Sequence, residues 1–152
     1  MANIAALPDP QAAMALVWEI VRMVPAGQVT TFGQIASMIP PPPGVDERDY
    51  ARLAPRSVGD AMNAVSWKDE ASVPWHRVIN SRGEISLPPD TQAAALQRAR
   101  LRADGVMEGD SESVDLGRFG WEGPPAAWLA ERGLHAPKPL RRPPDDRPQQ
   151  MA

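Results

Sequence analysis

Proline placement limits what this chain can fold into. The sequence holds 18 prolines in 152 residues, unevenly spread. Proline has no backbone N–H and its ring clashes with the preceding turn, so a helix interior is not expected to run through one. Pro25, the block Pro40–Pro43, Pro55 and the pair Pro124–Pro125 therefore divide the chain. A further group, Pro137, Pro139, Pro143, Pro144 and Pro148, lies where almost no apolar residue remains to pack. This predicts a domain over 9–133 and a disordered, proline-rich tail over 134–152.

Between the prolines the apolar spacing is helical. Asp9-Pro10 reads as an N-cap followed by proline at the first helical position. Met14, Val17, Trp18, Val21 and Val24 then form the apolar face of a helix that ends before Pro25. Pro25-Ala26-Gly27 is a turn and Gln28-Val29-Thr30 a short extended piece. Thr31 with Gln34 three residues on fits a capping box, and Ile35, Ala36 and Ile39 continue as a short helix. Pro40 to Ala54 reads as a long connection anchored by Tyr50 and Leu53. Pro55 is expected to open a third helix, Arg56 to Val65, with Val58, Met62 and Val65 facing inward. Ser72 to Ile79 reads as extended, leading into the turn Asn80-Ser81-Arg82-Gly83. Asp90 is expected to cap a helix over Thr91–Ala103, closed by Gly105. A last short helix holds Trp128 and Leu129, bracketed by proline and Gly133.

The absence of cysteine excludes disulfides, thiolate metal sites and cysteine nucleophiles together. No His/Asp/Glu cluster has metal-ligand spacing and no glycine-rich phosphate loop is present, so neither metal nor cofactor is expected. No apolar run approaches the ~20 residues of a membrane span, and no secretory leader is evident. A cytoplasmic monomer without a membrane partner is expected. The net charge is −3, but distribution matters more than the sum. Asp104, Glu108, Asp110, Glu112, Asp115 and Glu122 face only Arg118 in their stretch. Arg48, Arg52, Arg56, Lys68, Arg77, Arg82, Arg98, Arg100 and Arg102 make the middle of the chain neutral to slightly basic. A nucleic-acid contact there would have a modest electrostatic component and bind undamaged DNA weakly.

Three blocks, in order, resemble the DNA-binding and active-site domain of the O6-alkylguanine-DNA alkyltransferases. They are Val24-Pro25-Ala26-Gly27-Gln28-Val29-Thr30-Thr31-Phe32-Gly33-Gln34-Ile35-Ala36, Arg56-Ser57-Val58-Gly59-Asp60-Ala61-Met62, and Val73-Pro74-Trp75-His76-Arg77-Val78-Ile79. The resemblance covers roughly Gln11 to Val106. Members of the family run Pro-Cys-His-Arg-Val and accept an alkyl group on the cysteine; here Trp75 stands in its place, as in the alkyltransferase-like branch that binds alkylated DNA without repairing it. A thiolate is a strong nucleophile, whereas an indole is a neutral donor with no lone pair free to attack carbon.

The resemblance implies a mainly α fold: a winged-helix-like, three-helical DNA-binding core with a helix-turn-helix, leaving room for a short β-hairpin. It implies recognition of O6-alkylguanine in double-stranded DNA from the minor groove, with the nucleotide flipped into a pocket and no alkyl transfer. Excision-repair proteins would be the downstream partners. Arg56 would fill the space left by the flipped nucleotide; read alone, it is a surface arginine near a helix start. Ser57, Gly59 and Ala61 are small enough for a groove-facing helix, and equally for close helix packing. Asp60 among them would be repelled by phosphate.

Thr31 and Phe32 fall at the start of the first helix-turn-helix element. Phe32 replaces a family tyrosine and is as readily a core residue as a DNA contact. Ser81 matches a family serine near the DNA phosphate. Trp75, Met62, Val73, Pro74, Val78 and Ser86 would line the alkylguanine pocket, although a tryptophan after Pro74 also reads as core. The lid Ser86-Leu87-Pro88 lacks the family's glycine pair, which favours bulkier alkyl groups. His76 belongs to a proton relay in active members. Val65 falls at the relay's asparagine position and Arg98 at its glutamate position, so no carboxylate is expected to orient His76. Arg77 is expected to make a structural ion pair beneath the pocket. Two rival functions remain: a sequence-specific transcription regulator, and an enzyme acting on DNA through His76.

Overall fold

The first apolar stripe folds as expected. Helix α1 (Pro10–Arg22) buries Val17, Ile20 and Val21, and Val24 follows into the core just before Pro25. A computed structural model describes residues 10–41, 43–66, 68–109 and 112–140, so the Asp9 cap lies outside the described residues. The turn after α1 closes with Gln28 N–H on the Pro25 carbonyl at 3.1 Å, and Gly27 takes φ +93°, where a side chain would be strained.

Strand β1 (Thr30–Thr31) leads directly into helix α2 (Phe32–Met38). Thr31 caps α2, its Oγ1 accepting from the Gln34 N–H at 2.9 Å. Only half of the expected capping box forms. Gln34 is fully buried and turns its amide inward: Oε1 accepts from Thr30 Oγ1 at 2.6 Å, and Nε2 donates to the carbonyls of Trp121 at 2.9 Å and Lys138 at 3.1 Å.

Helix α3 (Glu47–Asn63) departs most from expectation. It starts nine residues before Arg56, inside the stretch read as a connection, and Pro55 lies in its interior. The start signal is Asp46, whose carboxylate accepts from the N–H groups of Arg48 at 3.0 Å and Asp49 at 3.1 Å. Glu47 and Asp49 add negative charge at the positive end of the helix dipole. Tyr50, Ala54 and Val58, four apart, and then Ala61 form one buried stripe that continues past Pro55. That burial outweighs the hydrogen bond the proline cannot make. Met62 and Val65, expected to point inward, are only partly buried.

A single 3-10 turn (Trp75–Arg77) interrupts the expected extended segment before strand β2 (Val78–Ile79). The two strands pair in parallel, Thr30 opposite Val78 and Thr31 opposite Ile79, and so do not themselves form a hairpin; a single antiparallel bridge joins Glu108 and Val114. The turn after β2 does form, with Gly83 N–H on the Asn80 carbonyl at 2.9 Å. The chain then leaves β2, and Gly83 accepts from the Val114 N–H at 2.7 Å instead. Helix α4 (Gln92–Ala103) is capped by Thr91 rather than Asp90, and Gly105, at φ +93°, follows its end. Helices α5 (Leu116–Phe119) and α6 (Ala126–Glu131) complete the mainly helical fold. Helices α1, α2 and α3 enclose the main core. A smaller cluster of Val29, Ile79, Leu101, Val106 and Val114 lies behind the strands.

Residues 134–140, read from the sequence as the start of a tail, are among those described. His135 N–H donates to the Met38 carbonyl at 2.8 Å, an acceptor left over at the end of α2. Lys138 N–H donates to Ser37 Oγ at 2.9 Å. Residues 134–140 thus lie against α2, and the rest of the proline-rich stretch falls outside the described residues. No helix among the described residues is long and apolar enough to cross a membrane.

Gln34→Leu keeps the volume but leaves Thr30 Oγ1 and two carbonyls without their partner. The expected loss is about 2–3 kcal/mol, read as a lower urea midpoint with the helical circular dichroism of the folded state retained.

Candidate nucleic-acid interface

An open cavity of about 490 Å³ lies where the end of α3, the 3-10 turn and the start of α4 converge. That is within the range of roughly 300–1,000 Å³ typical of small-molecule sites. Phe32 from α2 and Gly59, Met62 and Asn63 from α3 form one side. Trp75 and Val78 form the floor. Ala93, Leu96 and Gln97 from α4, with Ser86 and Leu87 ahead of it, close the other side. Leu96 is 40 % exposed at the cavity. Among the described residues, Glu70 is the one ionisable side chain on the wall.

Trp75 is held from several directions. Its backbone N–H donates to the Val73 carbonyl at 2.7 Å, which turns the chain sharply at Pro74. Its ring meets the His76 imidazole edge-on, centroids 6.4 Å apart. The Arg100 guanidinium lies 5.8 Å from the indole centroid and pairs with Glu70 at 2.7 Å. Gln97 is buried beside the cavity and donates from Nε2 to the carbonyls of His76 at 3.1 Å and Val78 at 3.0 Å.

Beneath Trp75 the structure corrects one expectation. His76 does have a carboxylate partner. It is Asp104, at the end of α4, and not a residue at position 98: His76 Nε2 lies 2.9 Å from Asp104 Oδ2. Arg98 instead pairs with Glu108 at 3.4 Å. Asp104 is also the partner expected for Arg77, which donates from Nε at 2.8 Å and from Nη2 at 3.2 Å. Arg77 Nη1 reaches the Val24 carbonyl at 2.9 Å. The carboxylate requires a donor on Nε2, which leaves Nδ1 as a lone pair; that atom is buried without a hydrogen-bond partner among the described residues.

Burial pushes the His76 imidazole below its ordinary range. The hydrogen bond and charge of Asp104 oppose this, and Arg77 and Arg100 add to the lowering. For Asp104, burial acts upward, but hydrogen bonds from Arg77 and His76 and their charges overcome it and hold the carboxyl below the usual range.

The residues expected to touch DNA separate into groups. Arg56 is exposed on α3, and Gly59 and Phe32 lie at the cavity. Ser57 is half-buried and Ser81 is exposed on the turn after β2. Thr31, 2 % exposed, is occupied in capping α2 and has no surface to offer. Ala61, 6 % exposed, packs in the core, and its carbonyl accepts from the Trp18 indole at 2.9 Å. Trp75, Met62, Val78 and Ser86 line the cavity. Val73 is fully buried behind it, and Pro74 does not reach the wall. Phe32 both packs on the core and faces the cavity. Sequence reasoning placed Leu87 in the lid but did not name Asn63, Val65, Glu70, Ala93, Leu96 or Gln97 as cavity residues. The spacing of Ala93, Leu96 and Gln97, three and then one residue apart, marks a single helix face and could have revealed them. Among the described residues no group of three or more acidic or histidine side chains could hold a metal.

Both shifts in the His76–Asp104 pair give the same sign. The unfolded chain takes up the histidine proton before the folded one does. Stability is therefore full above about pH 6.5 and falls below it, with a second loss below about pH 3.9 from Asp104. The urea midpoint is expected to drop between pH 7.5 and pH 5, and His76→Gln, which can still donate to Asp104, is expected to flatten that drop. An undiminished pH slope in the variant would remove His76 as its source.

Comparison with known proteins agrees with this geometry. Residues 12–106 match the family described as "6-O-methylguanine DNA methyltransferase, DNA binding domain". A "DNA base-flipping protein" of Escherichia coli K12 is 39% identical over 106 residues, 69% of this chain and 70% of that protein. "Alkyltransferase-like protein 1" of Schizosaccharomyces pombe is 36% identical over 112 residues, 74% of this chain and 90% of that one. The crystal structure of S. pombe Atl1 in complex with damaged DNA containing O6-carboxymethylguanine superposes with a TM-score of 0.54 at 31% identity, covering 73% of this chain and 95% of that one. The chain belongs to the family of the 6-O-methylguanine DNA methyltransferase DNA-binding domain.

Proposed function

We propose that this protein recognises O6-alkylguanine in double-stranded DNA by flipping the nucleotide into the cavity over Trp75, and that it transfers no alkyl group. One observation carries the reading: an open, base-sized cavity whose floor is an indole, in a chain without a cysteine. The indole offers a flat apolar face for a purine and its alkyl group, and an N–H donor. It offers no nucleophile.

The arrangement of α3 supports minor-groove entry. Arg56 precedes Gly59 by three residues and Asn63 by seven, so all three lie on the outer face of α3 and lead to the cavity mouth. Gly59 has open space around its Cβ position, so a sugar–phosphate edge can approach the backbone there. Extruding a base costs a few kcal/mol of stacking, and a planar guanidinium entering the vacated space offsets part of that cost. Two relatives are named for base flipping or for alkyltransferase likeness, and a third comparison is a complex with alkylated DNA. A binder without chemistry serves a cell by marking the lesion. Excision-repair proteins are the partner class we assign, with the protein acting as a monomer on DNA in the cytoplasm.

A second reading, hydrolysis of the adduct with His76 as base, gains support from the Asp104 partner. Against it, His76 is only 8 % exposed, and its free Nδ1 lies out of reach of solvent.

One titration separates the readings. Paired duplexes differing by a single O6-methylguanine are titrated with protein, and the recovered DNA is weighed by mass spectrometry. Selective binding with unchanged mass is expected; loss of the methyl group from the DNA would establish the enzymatic reading. Arg56→Ala is expected to weaken lesion binding by about 10- to 100-fold, or roughly 1.4–2.8 kcal/mol. An unaltered affinity would reject the role of Arg56.

A further inference from the structure

Because α3 begins at Glu47, Arg48 and Arg52 are helical residues on the same turn-by-turn row as Arg56. The three stand four residues apart, and all are exposed. The row drifts only ~40° per step around the helix, and each step rises ~6 Å, so the three guanidinium groups form a ridge ~12 Å long. The buried stripe of Tyr50, Ala54, Val58 and Ala61 fixes the opposite side of α3 against the core, so the ridge points outward. Gly59 and Asn63 continue the same face into the mouth of the cavity.

Carboxylates flank the ridge, with Asp46 and Glu47 at its start, Asp49 beside it and Asp60 four residues beyond Arg56. Arg52 pairs with Asp49 at 3.2 Å, with side chains 73% and 52% exposed. Among the described residues, neither Arg48 nor Arg56 has an ionic partner. Asp60 and Glu47 are the other carboxylates on α3. An ion pair as open to water as Arg52–Asp49 contributes little and can be exchanged for another anion.

We propose that Arg48 and Arg52 form a phosphate-binding track that extends the DNA interface along the backbone away from the flipped nucleotide. The inference rests on the function proposed above and adds two contacts of a different kind. A ridge of this length can meet more than one phosphate of a single strand. Guanidinium groups suit phosphate oxygens in charge and in donor geometry. On a chain of net charge −3 the track supplies local positive charge ahead of the cavity mouth. Contacts to phosphate position a duplex and carry no information about the base. Arg48 and Arg52 therefore strengthen damaged and undamaged DNA alike, whereas Arg56 acts at the lesion.

The test is the salt dependence of binding for the full chain and for R48Q/R52Q, each on O6-methylguanine and unmodified duplexes. Each phosphate contact adds about 0.9 to the slope of log affinity against log salt. Between 50 and 200 mM salt the wild type is expected to lose roughly ten-fold more affinity than the double variant. At low salt the variant should be weaker on both duplexes by a similar factor. R48K/R52K, which keeps the charge, should restore most of the slope. The thermal midpoint reports that both variants remain folded, and R48A/R52A is the substitute if either does not. An unchanged slope in the double variant overturns the track, and so does a loss confined to the damaged duplex. Absence of lesion preference in the wild type would instead defeat the proposed function, and the slopes on unmodified DNA would still decide the track.

Discussion

Much of the site depends on the carboxylate of Asp104. It accepts from Arg77 and lies in hydrogen-bond contact with His76, and Arg77 in turn holds the Val24 carbonyl. Three elements meet at this one group: the chain leaving α1, the 3-10 turn that carries Trp75, and the end of α4. A partly buried charge is costly unless it is paired and hydrogen-bonded, and here both carboxylate oxygens have partners. The pair thus links the end of α4 to the turn that carries Trp75.

The acidic stretch after α4 takes on a different meaning in this light. On the linear chain it opposes DNA binding. In the fold, Asp104 is consumed by His76 and Arg77, and Glu108 pairs with Arg98 at 3.4 Å and Arg102 at 3.7 Å. Part of the negative charge is therefore cancelled within the domain. The arginines of α3 lack such partners apart from Arg52 with Asp49, so net charge is a poor guide to the field at the cavity mouth.

What could be read from the chain depended on distance along it. The Thr31 cap is a local event, a hydroxyl and an amide three residues apart, and it was legible. Trp75 and Val78 were legible through a contiguous motif. The carboxylate partner of His76 was not foreseen because the contact with Asp104 spans 28 residues and no local pattern links them. The start of α3 was missed because Pro55 was given the role that belongs to Asp46. Proline is tolerated at a first helical position and usually excluded from an interior, yet the four-residue spacing of Tyr50, Ala54 and Val58 was the stronger signal. Ala61 was misplaced because small residues suit a groove and a helix contact equally. The parallel pairing of Thr30–Thr31 with Val78–Ile79 is a meeting of distant segments for which the sequence carries no turn.

Gln34 has one more consequence. It lies in the first block of family resemblance, and the family match ends at residue 106. Its amide is nevertheless satisfied by the carbonyls of Trp121 and Lys138, well beyond that limit. The buried amide therefore ties the family-matched segment to residues beyond its end. A fragment cut at residue 106 would keep the cavity's sequence but leave a fully buried amide without its acceptors.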